Sequence, residues 1–242
     1  MATYKTKGII IRRRNFGEAD RILTIFTEKF GKISAIAKGV RRSLSKLGGH
    51  LELFYLTDFI LAEGKNLDTV AAAEMIEDYP LIRENKKRSY QAFYISEILD
   101  RAVKENEHAE QIFYLLKKTL EEIDANDSSL TTSYFIINLL SQLGHRPELN
   151  NCLKCQRKLS SGGNLFSQAL GGIVCSDCRK YDLGARHIAD DAVKIMRIFL
   201  EDEMEITAKI KTNRNLESEI SEIINGYSEY IIERKIISYQ YL

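Results

Sequence analysis

Long apolar runs and the motifs of nucleotide-binding enzymes are missing from this sequence of 242 residues. No stretch approaches the roughly 18 apolar residues that a membrane helix needs, and the basic start of the chain lacks the core of a secretory signal. Neither the phosphate loop G-x-x-x-x-G-K-[ST] nor a dinucleotide fingerprint occurs. The four histidines are scattered without the spacing of a metal site. We therefore expect a cytoplasmic protein that is not an enzyme.

Proline is scarce and glycine is not enriched, so we expect no long disordered segment. The net charge of +1 conceals a strong bias along the chain. Residues 1–50 carry twelve Lys or Arg and three acidic residues, a net charge of +9, whereas residues 51–80 have a net charge of −6. This basic concentration favours nucleic acid or another polyanion as the partner. The alternative is a set of solvated surface side chains.

Residues 4–75 contain short β-branched and aromatic runs that predict five strands. We expect these strands at residues 8–11, 21–27, 33–38, 51–62 and 67–75. Five short strands in about seventy residues indicate a small antiparallel barrel. Residues 38–46, here called the basic loop, are polar and bracketed by glycine, which predicts an exposed, mobile loop. The nearby carboxylates Glu18 and Asp20 are expected to pair with Arg21 or cap a turn.

Helical periodicity replaces the strand pattern after Pro80. Stripes of aromatic and aliphatic residues, expected to be core, begin at Tyr90, Ile112 and Phe135. Gly144 is expected to end the third helix, and two more helices are predicted at residues 189–201 and 216–237. The predicted class is α+β, with a β-barrel domain at residues 1–80 and an all-α domain at residues 81–242. A cysteine segment is inserted in the second domain at about residues 150–180.

The four cysteines of the chain form two C-x-x-C pairs: Cys152, Cys155, Cys175 and Cys178. Two such turns supply the four sulfurs of a tetrahedral, structural Zn²⁺ site. Two disulfides would need an oxidising compartment, and a redox pair would need a βαβ pattern. An iron–sulfur cluster or a single iron remains an alternative. Four sulfur ligands leave no open position, which argues against a zinc hydrolase.

A succession of short motifs in the first half of the chain resembles the bacterial RecO family of recombination mediators. The motifs are Gly8-Ile9-Ile10-Ile11, then Phe16-Gly17-Glu18-Ala19-Asp20-Arg21-Ile22-Leu23-Thr24-Ile25-Phe26-Thr27, Gly31-Lys32, Ala37-Lys38-Gly39-Val40-Arg41-Arg42 and Leu51-Glu52-Leu53-Phe54. The helical middle, Leu143-Gly144 before the cysteines and the length also fit. Because some members lack the cysteines, the resemblance implies the zinc-containing type.

The resemblance implies an N-terminal OB-fold followed by a helical domain that carries the zinc knuckle. It also implies a nucleoid-associated role in recombinational DNA repair, with binding to single- and double-stranded DNA and annealing of complementary strands. The implied partners are RecR, the acidic C-terminal tail of single-strand-binding protein (SSB) and, indirectly, RecA, which would be loaded onto SSB-coated strands.

Basic side chains near the barrel are the predicted DNA contacts, since phosphate neutralisation dominates such binding. The first candidates are Lys38, Arg41, Arg42 and Lys46, followed by Arg12, Arg13, Arg14 and Arg21. Stacking platforms on single strands are expected among Phe16, Phe30 and Tyr55, each of which can equally be core. The basic residues Lys154, Arg157 and Lys158 can also contact DNA, although we favour a structural role for this segment. The alternative function is a zinc-stabilised scaffold that binds an acidic partner peptide.

Overall fold

The computed structural model describes residues 2–126 and 128–242. The chain divides into two compact units, the first of residues up to Ala125 together with Leu242, and the second of Asn126–Tyr241. The segment Asn126-Asp127-Ser128-Ser129 predicts a break between helices and an N-cap, but Asp127 lies outside the described residues. Within the described ranges, no helix has both the length and the apolar character needed to cross a membrane.

The first unit begins with a closed five-stranded barrel of order β1-β2-β3-β5-β4, in which β4 returns to β1. All neighbouring strands are antiparallel except β3 and β5, which pair in parallel over two residues. This arrangement confirms the predicted OB-like barrel. The strands are β1 (Thr3–Phe16), β2 (Asp20–Thr27), β3 (Gly31–Ala37), β4 (Leu56–Ala62) and β5 (Asp68–Glu77).

Apolar residues of all five strands fill the barrel. Leu23, Ile25 and Phe59 are completely buried there. Gly8 is required by this packing, because an added Cβ would lie 2.5 Å from the Ile25 side chain. The turn into β3 uses Gly31 at φ +64°, a backbone conformation that glycine adopts without strain.

The largest differences from the predicted strand boundaries are at both ends of β1, which begins at Thr3 instead of residue 8, and at the start of β4. β1 runs to Phe16 instead of ending at Ile11, because the arginines that follow pair with β2 across a bulge. The segment before β4 was predicted as strand from Leu51, which is wrong. Phe54 has a φ of 69°, and its amide donates to the Ile10 carbonyl at 2.8 Å, so the chain turns there and β4 starts at Leu56.

Three helices complete the first unit: α1 (Pro80–Glu84), α2 (Lys86–Ala102) and α3 (Glu110–Ala125). Lys32 of β3 is buried and fastens α2 to the barrel. Its ammonium donates to the Asp100 carbonyl and lies 3.2 Å from the Asp100 carboxylate. The apolar stripe of α2 is only partly core, because Tyr90 and Phe93 are exposed while Tyr94 is buried.

The second unit contains α4 (Leu130–Gln142), α5 (Asp190–Glu201) and α6 (Arg214–Ile232), which pack on one another. Gly144 follows α4 at φ +89°, which confirms its predicted role as the stop. The last helix ends at Ile232, five residues earlier than predicted, because Glu233 adopts the left-handed conformation. Between α4 and α5 lies a small sheet of order β7-β6-β8, formed by β6 (Leu165–Ser167), β7 (Gly172–Val174) and β8 (Arg186–His187).

Candidate metal centre and nucleic-acid surface

The four cysteines converge on one point in the second unit. Their sulfur atoms all lie within 4.8 Å of one another, and those of Cys155 and Cys175 are 3.8 Å apart. A tetrahedral metal with sulfur ligands at about 2.3 Å would separate neighbouring sulfurs by about 3.8 Å. All four are free thiols. The donor set and its spacing therefore fit a metal ion with four sulfur ligands, as the sequence predicted.

Two backbone turns place the sulfurs. In the first pair, the Cys152 amide donates to the Arg157 carbonyl, and Gln156 at φ +60° closes the turn by donating to the Cys152 carbonyl. In the second pair, the Cys178 amide donates to the Cys175 carbonyl. The Cys175 amide points at the Cys152 sulfur, 3.4 Å away, as a donor that favours thiolate.

The thiols of the cluster differ in pKa because their surroundings differ. The Arg157 guanidinium donates to the Cys155 sulfur at 3.4 Å, and this contact lowers the pKa of Cys155 to about 6. Arg157 is itself held by Asp177 at 2.8 Å. Burial raises the pKa of Cys178 to about 12. A metal cation bound by the cluster would favour the thiolate form of its sulfurs.

The basic loop is tied to the turn between β1 and β2 at its start. The Gly39 amide donates to the Asp20 carboxylate at 2.7 Å, and the Arg41 amide donates to the Ala19 carbonyl at 2.9 Å. Val40 is buried in the barrel core. The expectation of an exposed loop is therefore wrong at Val40, whereas the mobility of the loop stays a prediction. Asp20 caps this turn, which was one of its two predicted roles.

Half of the eight predicted DNA contacts are engaged within the first unit. Arg13 and Arg21 both pair with Glu52, the latter at 3.0 Å, and Arg12 lies 3.5 Å from Asp100. Arg41 donates to the carbonyl oxygen of Glu18 at 3.1 Å.

The remaining four basic side chains are exposed and have no ion-pair partner within residues 2–126 and 128–242: Arg14, Lys38, Arg42 and Lys46. Arg14 lies two residues before the end of β1, and the other three lie in the basic loop. The hydrogen bonds between that loop and the β1–β2 turn bring these segments together. The structure thus assembles a basic surface from two segments that are far apart in sequence.

The three candidate stacking residues have different environments. Tyr55 is buried and cannot stack on a base, whereas Phe16 is half exposed. Phe30 is partly exposed and packs edge-on against Tyr4, with ring centroids 4.6 Å apart. Sequence reasoning missed Tyr181, an exposed ring with the ammonium groups of Lys154 and Lys180 at 5.6 and 5.4 Å from its centroid. Tyr181 lies three residues after Cys178, away from the basic residues around the first cysteine pair.

Comparison with known proteins covers almost the whole chain. The family described as "Recombination protein O N terminal" matches residues 1–79, and "Recombination protein O C terminal" matches residues 83–240. A "DNA repair protein RecO" of Dehalococcoides mccartyi is 40% identical over 96% of this chain and 92% of its own length. Proteins with the same name from Roseiflexus and Pelotomaculum thermopropionicum are 34% and 31% identical, over 96% and 100% of this chain and 82% and 94% of their own lengths.

Proposed function

The chain belongs to the RecO family of DNA repair proteins, and we propose that it is a non-enzymatic mediator that binds single- and double-stranded DNA and anneals complementary strands. In this proposal it works in the cytoplasm with RecR to load RecA onto strands coated by SSB, whose acidic tail it binds. The roles of RecR, RecA and SSB rest on the family resemblance alone. DNA binding has independent support from the barrel.

The observation that carries DNA binding is the set of four open basic side chains on the barrel. Exposed Lys and Arg side chains that pair with no carboxylate and donate to no backbone carbonyl are free to replace the counterions of a phosphate backbone. Arg42 and Lys46 are exposed in the basic loop, whereas Arg13 and Arg21 already neutralise Glu52. We therefore assign the main phosphate contacts to Arg14, Lys38, Arg42 and Lys46, with Arg12, Arg13, Arg21 and Arg41 as supports of the surface.

The test is a double substitution, Arg42→Ala with Lys46→Ala, measured by salt-titrated binding to an oligonucleotide of arbitrary sequence. Losing two phosphate contacts should weaken binding by about tenfold or more at low salt and reduce the salt slope by about 1.4 on single strands. A matched control, Lys5→Ala with Lys65→Ala, removes the same charge from exposed positions outside these two segments. An unchanged slope in the folded loop variant, or an equal loss in the control, would contradict the assignment.

We further propose that the metal held by Cys152, Cys155, Cys175 and Cys178 is one structural Zn²⁺. The cluster offers four sulfurs and no open ligand position, which is typical of structural zinc. Metal analysis of protein purified under reducing conditions should find one zinc per chain. Iron in place of zinc, or a metal-free folded protein, would contradict this identity.

A further inference from the structure

A pocket of about 330 Å³ opens in the first unit between β1, the turn before β4 and the exposed side of α2. Its apolar lining comes from Ile11, Leu53 and Phe93. The Phe93 ring is 42% exposed and stands edge-on to Phe54, with ring centroids 5.0 Å apart. The volume lies at the low end of the roughly 300–1,000 Å³ that small-molecule pockets occupy. The pocket is therefore sized for one small, flat group.

Ser96 adds a polar group that lacks a partner. This residue lines the pocket and is 97% buried, and its hydroxyl makes no hydrogen bond within the described part of the chain. Serine in a helix can usually donate to the carbonyl four residues earlier, so an unpartnered hydroxyl on α2 is unusual. Buried polar groups are nearly always paired, and a bound ligand can supply the missing partner.

The charges that line the pocket are paired. Arg12 lies 3.5 Å from Asp100, Arg101 lies 2.5 Å from Glu97, and Arg13 pairs with Glu52. These pairs present donors and acceptors side by side. Because each guanidinium already has a carboxylate partner, an acidic peptide finds no free cation among the lining residues, which disfavours it. A neutral, planar ligand with both donors and acceptors on its edge fits this chemistry better, and a nucleobase is such a ligand.

The pocket also adjoins the basic surface. Arg12 at its rim and Arg14 beyond it are two residues apart on β1, so their side chains leave the same face of the strand. Arg14 is exposed, and it reaches the end of β1 next to the turn that holds the basic loop. A strand whose phosphates follow these side chains would pass the mouth of the pocket.

We propose that this pocket accepts one unpaired nucleobase of single-stranded DNA, stacked on Phe93, with the Ser96 hydroxyl bonded to the edge of the base. The inference rests on the proposed DNA binding and adds a base subsite to it. Paired bases cannot enter, so the pocket distinguishes single from double strands. Stacking on an aromatic ring tolerates every base, which suits a protein that binds arbitrary sequences.

The test uses single-stranded oligonucleotides that carry one fluorescent aminopurine, together with a duplex and an oligonucleotide that lacks its bases. Phe93→Leu keeps an apolar side chain of similar size but removes the ring. It should weaken binding to the single strand by about tenfold and abolish the quenching of aminopurine fluorescence. Binding to the duplex and the base-free strand, and the salt slope, should not change because no charge is lost. Tyr114→Leu, at an exposed ring of α3 outside the pocket, is the matched control.

Ser96→Ala gives a second, independent measurement. It removes only the unpartnered hydroxyl, so the fold should be kept, and it should reduce affinity for the ordinary single strand without changing affinity for the base-free strand. Equal losses on single strand, duplex and base-free strand, or undiminished quenching in folded Phe93→Leu, would overturn the base subsite. If Phe93→Leu loses affinity for an acidic peptide but keeps its affinity for DNA, the base subsite would be overturned in favour of a peptide site. Wild-type protein that binds none of the three nucleic acids would instead refute the proposed function itself.

Discussion

The barrel and the cysteine segment hold their strands together by different means. Eleven buried apolar residues form the barrel core, whereas the cluster in the cysteine segment has five, of which two are Cys152 and Cys178. Apolar burial of roughly 25 cal/mol per Å² can stabilise the first arrangement but supplies little to the second. We therefore expect the sheet of three- and two-residue strands to depend on a metal at its sulfur ligands more than the barrel does.

The basic side chains of the two regions differ in the same way. Arg14, Lys38, Arg42 and Lys46 of the barrel are exposed without a carboxylate partner in the described residues, whereas Arg157 in the cysteine segment contacts both Cys155 and Asp177. Lys154 lies over the Tyr181 ring. Basic side chains of the barrel are therefore available to bind a ligand. In the cysteine segment, the Arg157 guanidinium instead contacts the sulfur cluster. This contrast is why we assign DNA to the barrel.

The largest expected effect follows from Cys175→Ser or from removal of the metal by a chelator. Structural zinc contributes about 10 kcal/mol or more to folding in small zinc domains, so the cysteine segment should unfold locally. Hydrogen exchange should show loss of protection in β6 and β7 and retained protection in β1 to β4. Ser160→Ala is the matched control at an exposed position of the same segment. Equal loss of protection in the barrel would contradict the claim that the barrel is stable without the metal site.

A smaller effect, in the opposite region, is expected from Phe59→Ala. Its side chain is completely buried in the barrel core, and such truncations cost about 3–5 kcal/mol. Denaturant unfolding should register this loss, while the metal content per chain stays at the wild-type value. Met75→Ala at an exposed position of β5 should cost much less. Metal loss in folded Phe59→Ala would show that the two regions are not independent.

Periodicity predicted the parts of the fold that local burial determines. Runs of β-branched and aromatic residues predicted the five strands, and the helical stripes predicted α2 to α6, with Gly144 as a stop. The failures occur where distant residues decide the backbone. Phe54 turns the chain because its amide finds the Ile10 carbonyl, and no local pattern reports that bond. Lys32 is buried because α2 offers it a carboxylate and a carbonyl, which the sequence of β3 alone does not reveal.

The two candidate sites also differ in whether a local pattern or distant residues determine them. The metal cluster was predictable because the C-x-x-C spacing itself brings two sulfurs together. For the basic surface, the sequence showed an excess of basic residues but not which of them are free. Which arginines are free depends on the positions of Glu52 and Asp100, and these lie 31 and 88 residues from the arginines they engage, Arg21 and Arg12. The sequence predicted both Arg41 and Arg42 as first candidates for DNA contacts. In the structure, Arg41 donates to the Glu18 carbonyl in the β1–β2 turn, whereas Arg42 stays free within the described residues.

The smallest expected effect sharpens the role of charge in the cysteine segment. Arg157→Gln removes the guanidinium that holds the pKa of Cys155 near 6, so that pKa should rise. Protons then compete for this sulfur at higher pH, and the midpoint of acid-induced zinc release should move upward by less than about one pH unit. Lys158→Gln removes the same charge from an exposed neighbour without a sulfur contact. A chromogenic chelator reports the release across pH. Equal shifts in both variants would reduce the role of Arg157 to net charge, whereas a shift confined to Arg157→Gln would assign it to the hydrogen bond at Cys155.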